Sequence, residues 1–109
     1  MAVKNITDLD FHNEINASNH VFIKYYADWC GSCRLMAPKV KRLAEDEKHE
    51  GINFIEIDAE KNPVARKWAG VGNLPFFAIV KNGQLVEAAS TSKEEKLTEM
   101  LEKLKHHEN

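Results

Sequence analysis

The stretch Val21-Phe22-Ile23-Lys24-Tyr25-Tyr26-Ala27-Asp28-Trp29-Cys30-Gly31-Ser32-Cys33-Arg34-Leu35-Met36 decides the fold. Its first seven residues, Val21 to Ala27, are β-branched and aromatic apart from Lys24 and Ala27 and read as a strand buried on both faces. Lys24 is the one residue out of place there. After the two cysteines, Met36, Val40, Leu43 and Ala44 recur at helical spacing with charged residues between them, which predicts a helix over 32–48. Pro38 lies inside that helix and is expected to kink it, and Gly51 is expected to close it.

Working outward, Val3 to Ile6 is a short strand candidate, and Thr7-Asp8 offers caps for a helix with apolar contacts at Leu9, Phe11 and Ile15. Ile52 to Asp58 alternates as a strand, and Pro63 suits the first turn of a short helix running to Trp68. Phe76 to Val80 and Gln84 to Ala89 read as strands joined by the two-residue hairpin turn Asn82-Gly83. Ser92-Lys93-Glu94-Glu95 reads as a capping box, and Leu97, Met100, Leu101 and Leu104 form an apolar stripe after it. The order β-α-β-α-β-α-β-β-α predicts an α/β protein with a mixed central sheet flanked by helices on both faces.

The 109 residues have room for one domain, spanning 1–109. A net charge of −2, with both signs mixed along the chain, provides no basic face for nucleic acid. No apolar run approaches the ~18 residues of a membrane span. Met1 to His20 lacks the apolar core of a secretory signal, although a signal already removed leaves the same picture. The histidines stand at no finger-like spacing from the cysteine pair, so zinc is a weak alternative and no metal or organic cofactor is expected.

The only two cysteines are separated by two residues, and a loop that short makes a poor structural staple. A strand, then Cys30-Gly31-Ser32-Cys33, then a helix is instead a redox arrangement. Unpaired amides and the positive end of the helix dipole favour a thiolate in the first turn, and only the thiolate attacks a disulfide. Asp28, Arg34 and Asp58 read as solvated charges, Trp68, Phe54, Phe76 and Phe77 as core or groove lining, and His106 and His107 as a frayed tail.

With these residues the chain resembles the thioredoxin family over nearly its whole length. The resemblance is carried by Ala27-Asp28-Trp29-Cys30-Gly31-Ser32-Cys33-Arg34 with Met36-Ala37-Pro38, then by Asp58-Ala59-Glu60-Lys61-Asn62-Pro63. Gly70-Val71-Gly72-Asn73-Leu74-Pro75 and Lys81-Asn82-Gly83 extend it. It implies a thioredoxin fold, with Cys30 an exposed nucleophile, Cys33 a buried resolving thiol, and a cis Leu74-Pro75 peptide facing them. Trp29, Gly31, Ser32, Leu74 and Pro75 are the implied substrate contacts, with Trp29 covering the site.

Four departures from the family pattern bear on function. Ser32 stands where proline is usual, which points to a less reducing pair. Phe76 replaces a usual threonine and is expected to make the substrate groove more apolar, and Ser90-Thr91 stand where a glycine is usual. The family's buried aspartate under the dithiol is here Lys24, while its neighbouring lysine position is Glu56. The expectation is a charge-reversed pair, with Glu56 the acid–base group for Cys33 and Lys24 its partner, because a lone buried lysine is costly.

The implied activity is reduction of protein disulfides by a monomer in the cytoplasm. A thioredoxin-reductase-type electron donor would recharge the pair. Two alternatives stay open: the same chemistry run as an oxidase or isomerase, and a binding module of the same fold without turnover.

Overall fold

The computed structural model describes residues 3–106. Five strands form one sheet in the order β1-β3-β2-β4-β5: β1 (Lys4–Asn5), β2 (His20–Tyr26), β3 (Asn53–Asp58), β4 (Phe76–Lys81) and β5 (Gln84–Ser90). The strands β1, β3 and β2 run parallel, and β4 and β5 pair antiparallel to close the sheet. Four helices connect or follow them: α1 (Asp8–Asn16), α2 (Gly31–Glu45), α3 (Pro63–Ala69) and α4 (Glu94–His106). Among the described residues no helix is long and apolar enough to cross a membrane.

The two-residue period of the strands sorts the core into two layers. Val21, Ile23 and Tyr25 point with Ile55 and Ile57 to Phe11 and Ile15 of α1 and to Ala65 and Ala69 of α3. Phe22, Phe54, Phe77 and Ile79 point the other way, into the apolar stripes of α2 and α4. Both faces of β2 are therefore covered, as its continuous apolar run implies. The same period puts Lys24 and Glu56 on the α2 face, where they pair in register across β2 and β3.

The hairpin turn at Asn82-Gly83 has positive φ at both residues, 52° and 80°, as a tight turn between twisted strands requires. At the other end of the fold Asp8 ties α1 to α3. Its carboxylate accepts from the amides of Val64 and Ala65, 3.0 and 2.8 Å away, and its own amide donates to Asn62 Oδ1. Two helix starts thus satisfy each other's unpaired groups.

Several expectations need correction. The helix after the cysteines ends at Glu45, because Asp46 turns extended (ψ 131°) and its carboxylate accepts from Lys48 N to start a separate 3-10 turn at Glu47–His49. Gly51 lies beyond that turn and does not close α2. His49 is fully buried in the turn, with Nδ1 2.7 Å from the Leu43 carbonyl. Leu9 is 90 % exposed, since only Phe11 and Ile15 of α1 face the sheet. Asp58 is buried and not solvated: its Oδ1 accepts from Glu60 N and its carbonyl from Asn62 Nδ2, shaping the turn into α3. The last helix starts at Glu94, with Thr91 Oγ1 accepting from Lys93 N at its entry. His106 belongs to α4 and is no frayed tail, its Nε2 3.5 Å from Glu102, and His107 lies outside the described residues.

Candidate active site

Strand β2 ends at Tyr26, and a turn closed by Cys30 N donating to Ala27 O, 3.1 Å, delivers Cys30 to the start of α2. Cys30 is the N-cap, with extended φ and ψ of −85° and 101°. Its sulfur takes the place of the side-chain oxygen that usually caps a helix, accepting from Cys33 N at 3.1 Å. The backbone ladder begins with Arg34 N on Cys30 O, so the Gly31 and Ser32 amides have no helical acceptor. Cys30 and Cys33 are joined as a disulfide with their Cα atoms 5.3 Å apart.

The expected contrast in exposure between the two cysteines is absent. Cys30 is 4 % exposed and Cys33 3 %, because Ala27, Tyr26 and Leu74 pack around both. Gly31 and Ser32 are exposed. So is Trp29, at 66 %, and its ring nitrogen donates to Glu60 Oε1 across 3.1 Å. The Leu74-Pro75 peptide is cis, with Leu74 against the cysteine cluster. The Pro75 carbonyl accepts from both Ser90 Oγ (3.1 Å) and Thr91 N (3.3 Å), the two residues standing at the usual glycine position. Phe76 does not make a groove more apolar: it is buried in the α1–α3 layer, its ring edge-on to Tyr25.

Lys24 and Glu56 come together as the sequence led one to expect, Nζ to Oε1 at 3.5 Å. The lysine side chain is 7 % exposed and the glutamate 29 %. The ammonium also sits 5.7 Å from the centre of the Tyr26 ring. A cavity of about 380 Å³ joins the pair to the dithiol, lined by Lys24, Glu56, Tyr26, Cys33, Arg34 and Ala37. Glu56 and Lys24 also line a second cavity of about 610 Å³ that runs along α2 past Pro38 to Lys41 and Glu45. Cys33, and not Cys30, opens onto the first cavity.

Two residues of this region carry no local signal in the sequence. Tyr26 Oη accepts from Asn5 Nδ2 at 2.8 Å, and the same amide nitrogen donates to Glu56 Oε2 at 3.2 Å. Burial raises the Tyr26 phenol above its ordinary range; the Asn5 bond opposes this, and the Glu56, Asp58 and Asp28 carboxylates reinforce it. Asn5 and Glu56 lie 51 positions apart and meet only through the pairing of β1 with β3.

Comparison with known proteins agrees with this geometry. A family model described as Thioredoxin matches residues 2–103. The chain is 35 % identical to a thioredoxin of Listeria monocytogenes over 85 residues, covering 78 % of this chain and 81 % of that protein. A Staphylococcus aureus thioredoxin is 30 % identical over 105 residues, covering 94 % and 98 %. Among solved structures, thioredoxin F from spinach chloroplast superposes with a TM-score of 0.88 at 27 % identity, covering 95 % of this chain and 94 % of that one. The oxidised mitochondrial thioredoxin 3 of Saccharomyces cerevisiae gives 0.85 at 27 %, covering 94 % and 95 %. With its Cys30-x-x-Cys33 pair capping a helix beside a cis-proline, the chain belongs to the thioredoxin family and is a thiol–disulfide oxidoreductase.

Proposed function

We propose that the chain reduces disulfides in other proteins, with Cys30 as nucleophile and Cys33 as resolving thiol. The observation that carries this reading is the capping of α2 by Cys30 Sγ. In the oxidised pair that sulfur already accepts the Cys33 amide at 3.1 Å, and a thiolate in the same place accepts it more strongly. The Cys30 thiolate attacks one sulfur of the target's disulfide, forming a mixed disulfide and expelling the other sulfur as a thiolate that takes up a proton. Cys33 then loses its proton and attacks Cys30 Sγ, which releases the second target sulfur. The target gains two electrons and the Cys30–Cys33 pair loses them.

In this reading Glu56 takes the Cys33 proton across the cavity both residues line, and Lys24 supports the charge on Glu56 and on the thiolate. Trp29, Gly31, Ser32 and the Leu74-Pro75 peptide form the surface that receives an extended target strand. A thioredoxin-reductase-type donor returns the pair to the dithiol, and a reducing compartment such as the cytoplasm, with the protein a monomer, suits that cycle.

One observation favours a second reading, net oxidation. The ammonium of Lys24 lines the Cys33 cavity, and a cation there stabilises the reduced form and raises the potential. Both readings are tested together by dithiothreitol-driven insulin reduction and by the potential of the Cys30–Cys33 couple. Accelerated reduction with a potential near or below the cytosolic thiol pool supports the reductase. A potential far above it supports the oxidase, and no acceleration at all contradicts both.

A further inference from the structure

Asn5, Glu56 and Lys24 lie side by side in register on β1, β3 and β2, and all three side chains meet on the α2 face of the sheet. The two carboxylate oxygens of Glu56 have different partners: Oε1 faces Lys24 at 3.5 Å, and Oε2 accepts from Asn5 Nδ2 at 3.2 Å. The second proton of that amide goes to Tyr26 Oη at 2.8 Å. The direction of the Asn5–Glu56 bond is secure on chemical grounds, because an ionised carboxylate can only accept. Glu56 is 29 % exposed and, without this bond, free to swing into water and leave Lys24 unpaired in a nearly closed site.

We infer that Asn5, anchored by the Tyr26 hydroxyl, is a positioning residue that turns the Glu56 carboxylate towards Lys24 and the Cys33 cavity. The inference rests on the proposed acid–base role of Glu56 and adds to it a control exerted from the first strand. Tyr26 has separable parts in this arrangement. Its ring lies under the Lys24 ammonium and its hydroxyl holds Asn5, so Tyr26→Phe removes only the second. Other charges face the same place: Asp58 on β3, Asp28 in the turn before α2, and Arg34, Lys41 and Glu45 on α2. They are common to wild type and variants, so a difference between the two isolates the Asn5 contact.

The test is single-turnover reduction of insulin by the reduced protein, with the mixed disulfide trapped by acid quenching and counted by mass spectrometry. Asn5→Ala is expected to slow release of the mixed disulfide, the step in which Cys33 gives up its proton, by about threefold while leaving its formation by Cys30 unchanged. Tyr26→Phe should slow the same step by less. A merely structural loss slows formation and release alike, and that outcome overturns the inference. Unchanged release in Asn5→Ala also overturns it while leaving the role of Glu56 intact. The two failures are separated by Glu56→Gln: unchanged turnover in that variant removes the acid–base role itself, and the positioning role with it.

Discussion

Lys24 and Glu56 are unequal partners, and the inequality sets what each substitution does. The lysine side chain is 7 % exposed and the glutamate 29 %. Glu56→Gln leaves an ammonium in a nearly closed site without its counter-ion. Breaking a buried pair from one side costs about 3–5 kcal/mol, and the partial exposure here brings the expectation to about 2 kcal/mol. Lys24→Met removes the buried charge instead, and leaves a carboxylate that reaches water and keeps its bond to Asn5. That variant is expected to lie within about 1 kcal/mol of the wild type or above it. Urea unfolding of the oxidised forms checks the order; a Lys24→Met protein less stable than Glu56→Gln would contradict it. The pair itself was legible through the family resemblance, since counting from the motifs places Lys24 and Glu56 where the family has its buried aspartate and neighbouring lysine. Its clamp was not, since Asn5 and Tyr26 are unremarkable in their own neighbourhoods and meet Glu56 only across strands.

At the scale of elements, the first turn of α2 carries the chemistry, and Ser32 is its most informative position. Its amide is one of the first-turn donors with no helical acceptor, beside a sulfur that is anionic in the reduced state. Proline fits this position, because no backbone bond is lost and its φ suits a helix start. Ser32→Pro removes a dipole that stabilises the thiolate, so the potential is expected to fall by about 30 mV, a change worth ~1.4 kcal/mol for two electrons. Equilibration with a glutathione or dithiothreitol couple measures it, and a rise would contradict the role given to the amide. The start of α2 was readable from its strand–dithiol–helix context, whereas its end was not. Asp46 leaves the helix because its carboxylate caps a new turn, a local competition that apolar spacing does not register. Leu9 was misread for a related reason: a nine-residue helix offers only Phe11 and Ile15 to the sheet.

For the whole molecule, the groups that folding shifts on the acid side, His20, Glu14 and Glu87 among them, push stability the same way with pH, whereas the raised Tyr25 and Tyr26 phenols act only in the alkaline range. His20 is lowered from 6.5 by burial and by the Lys81 charge, so the unfolded chain binds its proton first. Stability should therefore begin to fall as pH drops below about 6.5. Glu14 and Glu87 are lowered from 4.5, first by hydrogen bonds from Lys4 and Lys96 respectively. Their contribution is present above 4.5 and lost as pH falls through their folded values. A urea midpoint that is flat from about pH 7 to about pH 9 and declines in two stages on acidification is expected, and a midpoint that rises between pH 7 and 5 would contradict these shifts. The sheet with helices on both faces was legible from the alternation of patterns along the chain, because each layer needs its own apolar set. The burial of Asp58 and of Cys30 was not, since it depends on which turns pack over the sheet ends.

The claim on which everything else depends is that Cys30 attacks and Cys33 resolves. Intact-protein mass spectrometry of Cys33→Ser and Cys30→Ser, each reduced and then mixed with a disulfide-bonded protein substrate, tests it in one experiment. A stable mixed disulfide is expected in Cys33→Ser, at one substrate per chain, and little or none in Cys30→Ser. Accumulation in Cys30→Ser instead, or in neither variant, would contradict it.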